Sequence, residues 1–444
     1  MNSFDTCFLK LGFACVFSCF LMTPLSEAAK SVSHYGITWT FIEDRPTGVF
    51  ANGEPWVVGP VTIARIDPVS SASDPVEGTR NGSMLNPVPN TRQGFDSEPN
   101  TGIPETQYEA VKNVALKLPL QLAPGDMLAS SITRKAYPRF IDFICVITVL
   151  EVAPREGSFR PGPYGKDHAV RWNKSDIDYG VLKSFPKVPE APSKAAIESV
   201  LPALPWWEWG PHQAHGILCA FENLASESNG QLSTYGREIA YKWGNVALWL
   251  NLDYSNQEKE KAMIQTIQCG IDIMSYVKNG GGFYPDGGHK SGRKFPVVLA
   301  AVALNDPELR DFAANPETFA EDTTTFMITQ SDVGRQVVPP GGTYDETMVG
   351  LADWGVRHRW EPAHDDSRWE GGVPYRFVNW PANAGSVLAI DLMGQREAWG
   401  HPAIFAYNER FYSKAGFGGF PGNMWRYKSG VAPSSPKGLT IKKR

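Results

Sequence analysis

The spacing at which apolar residues recur changes partway along this chain, and that change limits the fold more than any single motif. Over residues 29–155 the runs GITWTF, PWVVGPVTIARI and FIDFICVITVLEV are rich in β-branched and aromatic residues and broken by Gly, Pro and Asn. Such runs read as strands. Asn52-Gly53 and Gly59-Pro60 mark turns between them, and the Ser-, Pro-, Asn- and Gly-rich stretch 67–104 reads as long loops. From about His212 the spacing becomes helical. In STYGREIAYKWGNVALWLNL, Ile239, Trp243, Val246 and Leu250 fall on one face, with Ser233 as N-cap. In QEKEKAMIQTIQCGIDIMSYVKNG, Ile264, Ile267, Ile271 and Met274 form a stripe that stops at Asn279-Gly280. The apolar run KFPVVLAAVALND follows, then helices near 383–395, 399–414 and 420–428. Between these textures, over 156–205, Pro161, Pro163, Pro186, Pro189 and Pro192 interrupt any long element, so this part is a wrapping linker. Helices joined by uneven loops, with no strands between them, predict paired helices around a centre.

The totals narrow the function classes. At 444 residues the chain has room for two or three domains, and its 42% hydrophobic and 20% charged content is that of a globular protein. A net charge of −5 argues against nucleic acid, so any polyanion must meet a local cationic patch. Lys10, the apolar run Leu11 to Leu25 and the small residues of Ser26-Glu27-Ala28 read as an export signal over 1–28, which predicts a secreted or periplasmic protein. That run is too short, and is broken by Pro24, to span a membrane. A lipid attachment at Cys19 fits its flanking residues poorly. Export would leave Cys145, Cys219 and Cys269, an odd set without metal-site spacing. Buried thiols are the plain reading, and one bridge is permitted. Residues 431–444 form a basic tail. No metal or cofactor is implied.

Chemistry concentrates in the loop NGGGFYPDGGHKSGRKFP, Asn279 to Pro296, between helical segments, where scaffolds commonly place function. His289 sits in a stretch too polar for a core histidine; the plain alternative is a surface histidine on a loop. Lys290, Arg293 and Lys294 crowd it. They are either a solvated charged face or a site for a carboxylate, which an arginine fork can bind through both oxygens. Tyr344, in GGTYDETM, is a candidate acid or base if a cation such as Arg335 lowers its pKa; otherwise it is a packed aromatic. His212 and His215 in PHQAH lack the glutamate of a zinc-protease motif. They read as helix-end packing or as a substrate contact beside Trp206, Trp207 and Trp209. Glu222, Asn223 and Asn245 are equally readable as polar helix surface or as partners of a substrate carboxylate. His364-Asp365-Asp366 is a polar loop rather than a calcium site. Nucleophile elbow, Walker loop and dinucleotide fingerprint are all absent.

The loop FYPDGGHKSGRKFP, the later GGTYDETMVGLADWG, and the tail EAWGHPAIFAYNERFY with NMWRY resemble the α/α-toroid polysaccharide lyases, nearest to polysaccharide lyase family 38, over about residues 205–428. The resemblance implies a mainly α fold: an incomplete toroid over 206–430 with an N-terminal β-rich domain over 29–155. It further implies β-elimination on a uronate polymer such as alginate or glucuronan, without a cofactor. His289 would match the family's histidine, Tyr344 its tyrosine, and Arg293 or Arg335 its arginine. Lys290, Lys294, His212, His215, Glu222, Asn223, Asn245 and Trp207 would contact substrate. Unlike many toroid lyases, this chain has no Asn-Asn-His run. Two other readings stand beside this one. The first is a toroid glycoside hydrolase using two of Asp286, Asp345, Glu346 and Asp353. The second is a secreted carbohydrate-binding protein without catalysis.

Overall fold

A computed structural model describes residues 27–71, 80–95, 108–133, 141–201, 207–209, 236–335, 337, 341–369, 375–416 and 418–430. Strands β1 (Glu27–His34), β2 (Ile37–Val49), β3 (Pro55–Val58), β4 (Val61–Asp67), β5 (Ser83–Leu85), β6 (Leu120–Leu122), β7 (Met127–Thr133) and β8 (Ile141–Leu150) form one curled sheet. Its order is β5-β7-β8-β3-β2-β4-β6, with β1 added to β2. The β3–β8 pair is parallel. β1 begins at Glu27, inside the stretch expected to be an export signal, and residues 1–26 lie outside those described.

The second half carries α1 (Lys194–Val200), α2 (Gly236–Leu250), α3 (Asn256–Lys278), α4 (Lys294–Ala303), α5 (Pro307–Ala314) and α6 (Ala320–Thr323). A hairpin of β9 (Thr325–Met327) and β10 (Ala352–Trp354) follows, then α7 (Tyr375–Met393), α8 (Arg396–Trp399), α9 (Pro402–Ala415) and α10 (Gly419–Lys428). Local chemistry sets these bounds. Ser255 and Glu258 close a capping box at the start of α3, and Asn279 caps its end. The α2 and α7 backbones nearly touch: a Cβ on Gly385 would lie 2.9 Å from the Gly244 Cα, so the crossing needs glycine at 385, and a Cβ on Gly244 would be tight at 3.3 Å.

The expected mainly α architecture does not hold. The molecule is mixed, 41% helix and 19% strand, with the strands mostly in the N-terminal sheet and the helices beyond it. The reason lies in how the sheet is buried. Along β8, Cys145, Ile147 and Val149 face a core made with Trp39, Phe41 and Ile63 of the sheet itself. Ile144 and Val146, on the opposite face, join a larger core with Trp243 of α2, Ile267 of α3, Val298 of α4 and Leu388 of α7. Alternate residues of one strand thus serve two cores, and the sheet is a structural layer of the helical part rather than an appendage. Among the described residues no helix is long and apolar enough to cross a membrane.

Candidate functional site

The glycine-rich loop is shaped by buried charge. Glu208, fully buried between Trp207 and Trp209, accepts hydrogen bonds from Lys290 Nζ at 2.6 Å and from Arg293 Nε at 2.9 Å. Burial alone would raise the Glu208 carboxyl; Arg293 and Lys290 outweigh it and hold the group below its ordinary range. Lys294 pairs with Asp322, which also accepts from Trp399 Nε1 at 2.8 Å. Glu321 Oε1 accepts the backbone N–H groups of Gly292, Arg293 and Lys294 at 2.8, 2.8 and 3.1 Å and so caps α4. The three cations expected to bind substrate are therefore buried structural partners. Lys290, Arg293 and Lys294 have side-chain exposures of 1%, 0% and 0%.

What this packing leaves at the surface is a cleft of about 260 Å³ lined by Tyr284, Pro285, Asp286, His289, Lys290, Arg357, Trp360 and Glu361. His289 is part-exposed, and its Nδ1 lies 3.5 Å from Asp286 Oδ2. The Asp286 carboxylate is gripped by Arg357 through Nε at 2.7 Å and Nη2 at 2.9 Å, and Arg357 Nη1 donates to Glu361 at 3.0 Å. These bonds use three of the guanidinium's five N–H donors and leave two. The Arg357 bond, and then His364, hold the Glu361 carboxyl below the usual range, so it is ionised at neutral pH. Tyr284 and Trp360 are both exposed and meet edge to face with ring centroids 4.4 Å apart.

Tyr344 lies elsewhere. It packs on Phe326, Ile328 and Met348 away from the cleft wall, and the turn 355–361 runs between: Arg357 and Trp360 reach the cleft, while His358 stacks on Phe326. Burial, then the carboxylates of Asp353 and Asp365, push the phenol above its ordinary pKa. Arg335 stands 5.4 Å from the ring centroid and is paired with Asp365 at 2.8 Å and Asp332 at 3.3 Å; its expected downward pull on the phenol is outweighed by burial and by the Asp353 and Asp365 carboxylates. The structure thus does not bring His289 and Tyr344 together.

Trp207 is fully buried against Phe95 and Tyr164, which excludes it as a substrate contact. Asn245 is half-buried on α2 and is not part of the cleft wall. His212, His215, Glu222 and Asn223 lie outside the described residues, as do Cys219 and 431–444. Cys145 and Cys269 are both buried. The four carboxylates considered for a hydrolase do not share a site. Asp286 lines the cleft, Asp353 is buried on Arg376, Asp345 caps the short turn at Thr347, and Glu346 accepts from Gln330. Sequence reasoning missed Arg357 and Trp360, although each stands beside further charge in RHRWE, and it passed over Tyr284 inside the loop itself. Among the described residues no group of three His, Cys, Asp or Glu side chains is placed to hold a metal ion.

Searches of protein-family models, of curated proteins and of solved structures find no match to this chain. What defines it is therefore its own geometry: a mixed α and β protein with an aromatic-edged cleft holding an imidazole near a carboxylate that a guanidinium grips.

Proposed function

We propose that this cleft binds a uronate-containing glycan and that the protein cleaves it by β-elimination, with His289 as the base. The observation that carries this reading is the placement of His289, Asp286, Arg357, Tyr284 and Trp360 in one cleft. Exposed aromatic rings offer faces for sugar C–H groups. The two uncommitted N–H donors of Arg357 can hydrogen-bond a sugar carboxylate; the guanidinium charge is already shared by Asp286 and Glu361, so these hydrogen bonds, rather than net positive charge, would stabilise the carbanion at C5. Asp286 Oδ2 lies 3.5 Å from His289 Nδ1, on the side where it favours a proton on Nδ1 and the basic lone pair on Nε2. Nε2 takes the C5 proton, the C5–H electron pair becomes the C4=C5 bond, and O4 departs with the C4–O4 bond pair and takes a proton from water, while the His289 imidazolium returns its proton to solvent. In this reading Arg357, rather than Arg293 or Arg335, hydrogen-bonds the substrate carboxylate.

A hydrolase with Asp286 and Glu361 as its pair is the weaker reading. An acid catalyst needs a carboxyl that keeps its proton near neutrality. Arg357 bonds to both groups, and Glu361 is moved the opposite way.

The test is purified protein against alginate, glucuronan, pectin and glycosaminoglycans, followed by the ultraviolet absorbance of the unsaturated product. Absorbance should rise on at least one uronate polymer. His289→Ala should lose at least about 100-fold, the usual worth of a positioned base. New reducing ends without absorbance would favour hydrolysis, and absorbance undiminished in His289→Ala would remove the imidazole from the chemistry.

A further inference from the structure

Five aromatic side chains stand exposed among the described residues: Tyr35, Tyr241, Tyr284, Trp360 and Tyr375. Three of the five gather at one short stretch of loop. Tyr284 belongs to it, Trp360 packs on Tyr284, and Tyr375 packs on Gly287. Exposed apolar groups scattered singly need no explanation, but a cluster of rings on the rim of a polar cleft does.

Tyr375 opens α7 and is held firmly. Its ring is backed by the buried Trp354, with centroids 6.0 Å apart. Its edge lies so close to Gly287 that a Cβ there would come within 2.8 Å of the ring and 2.9 Å of the hydroxyl oxygen, and the Gly287 φ is +61°. The Gly287 N–H donates to the Val356 carbonyl at 3.1 Å, and its own carbonyl accepts from Asn379 Nδ2 of α7 at 3.4 Å. The next residue, Arg376, is buried and paired with Asp353, which fixes the helix start. Val378, three residues on and therefore on the same helix face, is also exposed. A fixed, exposed ring loses little freedom when it meets a ligand, which is what a binding anchor requires. Tyr375 is outside the cleft wall, so a ligand touching both must extend past the rim.

Resting on the reading of the cleft as a glycan site, we infer that Tyr375 and Val378 form an outer saccharide subsite. One sugar sits at Tyr284 and Trp360 beside His289, and a further sugar of the same chain stacks on Tyr375. A cleft of about 260 Å³ is small for a whole ligand, so it holds a short part of the polymer while the rest lies across the surface.

Calorimetric titration of the full chain with alginate polymer and with alginate trisaccharide tests this, using Tyr375→Ala, Tyr375→Leu and Trp360→Ala. The leucine variant keeps apolar packing on Trp354 but removes the flat face, so it guards against a folding defect in the alanine variant. Both Tyr375 variants should lower the polymer-to-trisaccharide affinity ratio by about tenfold, the scale of a lost stacking contact. Trp360→Ala should weaken both ligands alike. An unchanged ratio in both Tyr375 variants, alongside weakened binding in Trp360→Ala, overturns the outer subsite and leaves the cleft reading standing. If wild-type protein binds neither alginate nor glucuronan nor pectin, both fall together.

Discussion

The Tyr344 hydroxyl is buried and has no hydrogen-bond partner among the described residues. A buried donor without an acceptor costs about 1–3 kcal/mol, so this oxygen destabilises the fold it sits in. Tyr344→Phe keeps the ring on Phe326 and Ile328 and deletes only that oxygen. Chemical denaturation should find the variant equal to wild type or more stable by about 1 kcal/mol, and turnover on a uronate polymer should be unchanged. A 100-fold loss of turnover would return the phenol to the mechanism. The sequence suggested otherwise because Arg335 is only nine positions away. Of the acids that meet its charge, Asp332 is only three positions away, but Asp365 and the Asp353 carboxylate near Tyr344 are brought in by the 355–366 turn and by β10, which no local pattern announces. His289 was legible because a glycine-rich polar loop lies near the surface, but the same pattern did not separate it from Lys290, which is buried one position later.

At the scale of elements, the loop between α3 and α4 was readable from its ends. The α3 stripe stops at the Asn279 cap, and the apolar run beyond becomes α4. What could not be read was the direction in which its cations point. Glu208, the partner of Lys290 and Arg293, lies more than eighty residues earlier, in WWEW, and Asp322, the partner of Lys294, lies 28 residues later. That run did carry a signal: an acid amid tryptophans must be buried, and a buried carboxylate needs cations. Glu208→Gln tests its importance. The carboxamide would face Lys290 and Arg293 without a countercharge, and breaking such a buried pair costs about 3–5 kcal/mol. The variant should melt well below wild type and lose affinity for glycan, because the loop that presents Asp286 and His289 loses its anchor. A melting temperature within a degree of wild type would show that the anchor lies elsewhere. Because the Glu208 pKa is depressed on folding, its contribution is full above the unfolded carboxylate value, about 4.3, and fades as pH falls below it.

At the scale of the molecule, the sheet and the helices are joined by charge as well as by shared core. Arg160, in the segment that wraps between them, reaches Glu54 beside β3 with Nε and Asp272 of α3 with Nη2, and all three are fully buried. Glu54 also accepts the Val146 backbone N–H at 2.9 Å, and Asp272 accepts from Gln268 at 3.0 Å. Two carboxylates on one guanidinium leave surplus negative charge in a dry interface. Burial therefore pushes Asp272 up to about 7, against the pull of Arg160 and with the help of Glu54. The sign follows from the direction. The folded pKa lies above the unfolded one, so stability is greatest below about pH 4 as far as this group is concerned, and is lost as pH rises through 7. A gap of about three pKa units corresponds to roughly 4 kcal/mol at full ionisation. Between pH 5 and pH 8 the carboxylates with ordinary or depressed pKa values are already ionised in both states; Asp272 contributes to the slope together with Glu321 and Asp322, which burial also raises, and against His168, which burial lowers, so its share is read from the difference between wild type and Asp272→Asn. Wild-type stability should fall across that window, whereas Asp272→Asn, which cannot ionise, should give a flatter profile with its relative advantage largest at pH 8. Parallel profiles would mean that the interface tolerates both charges. The joint would then owe its strength to the apolar residues of β7, β8 and the helices alone, an arrangement in which deleting Arg160 and both acids together would cost little.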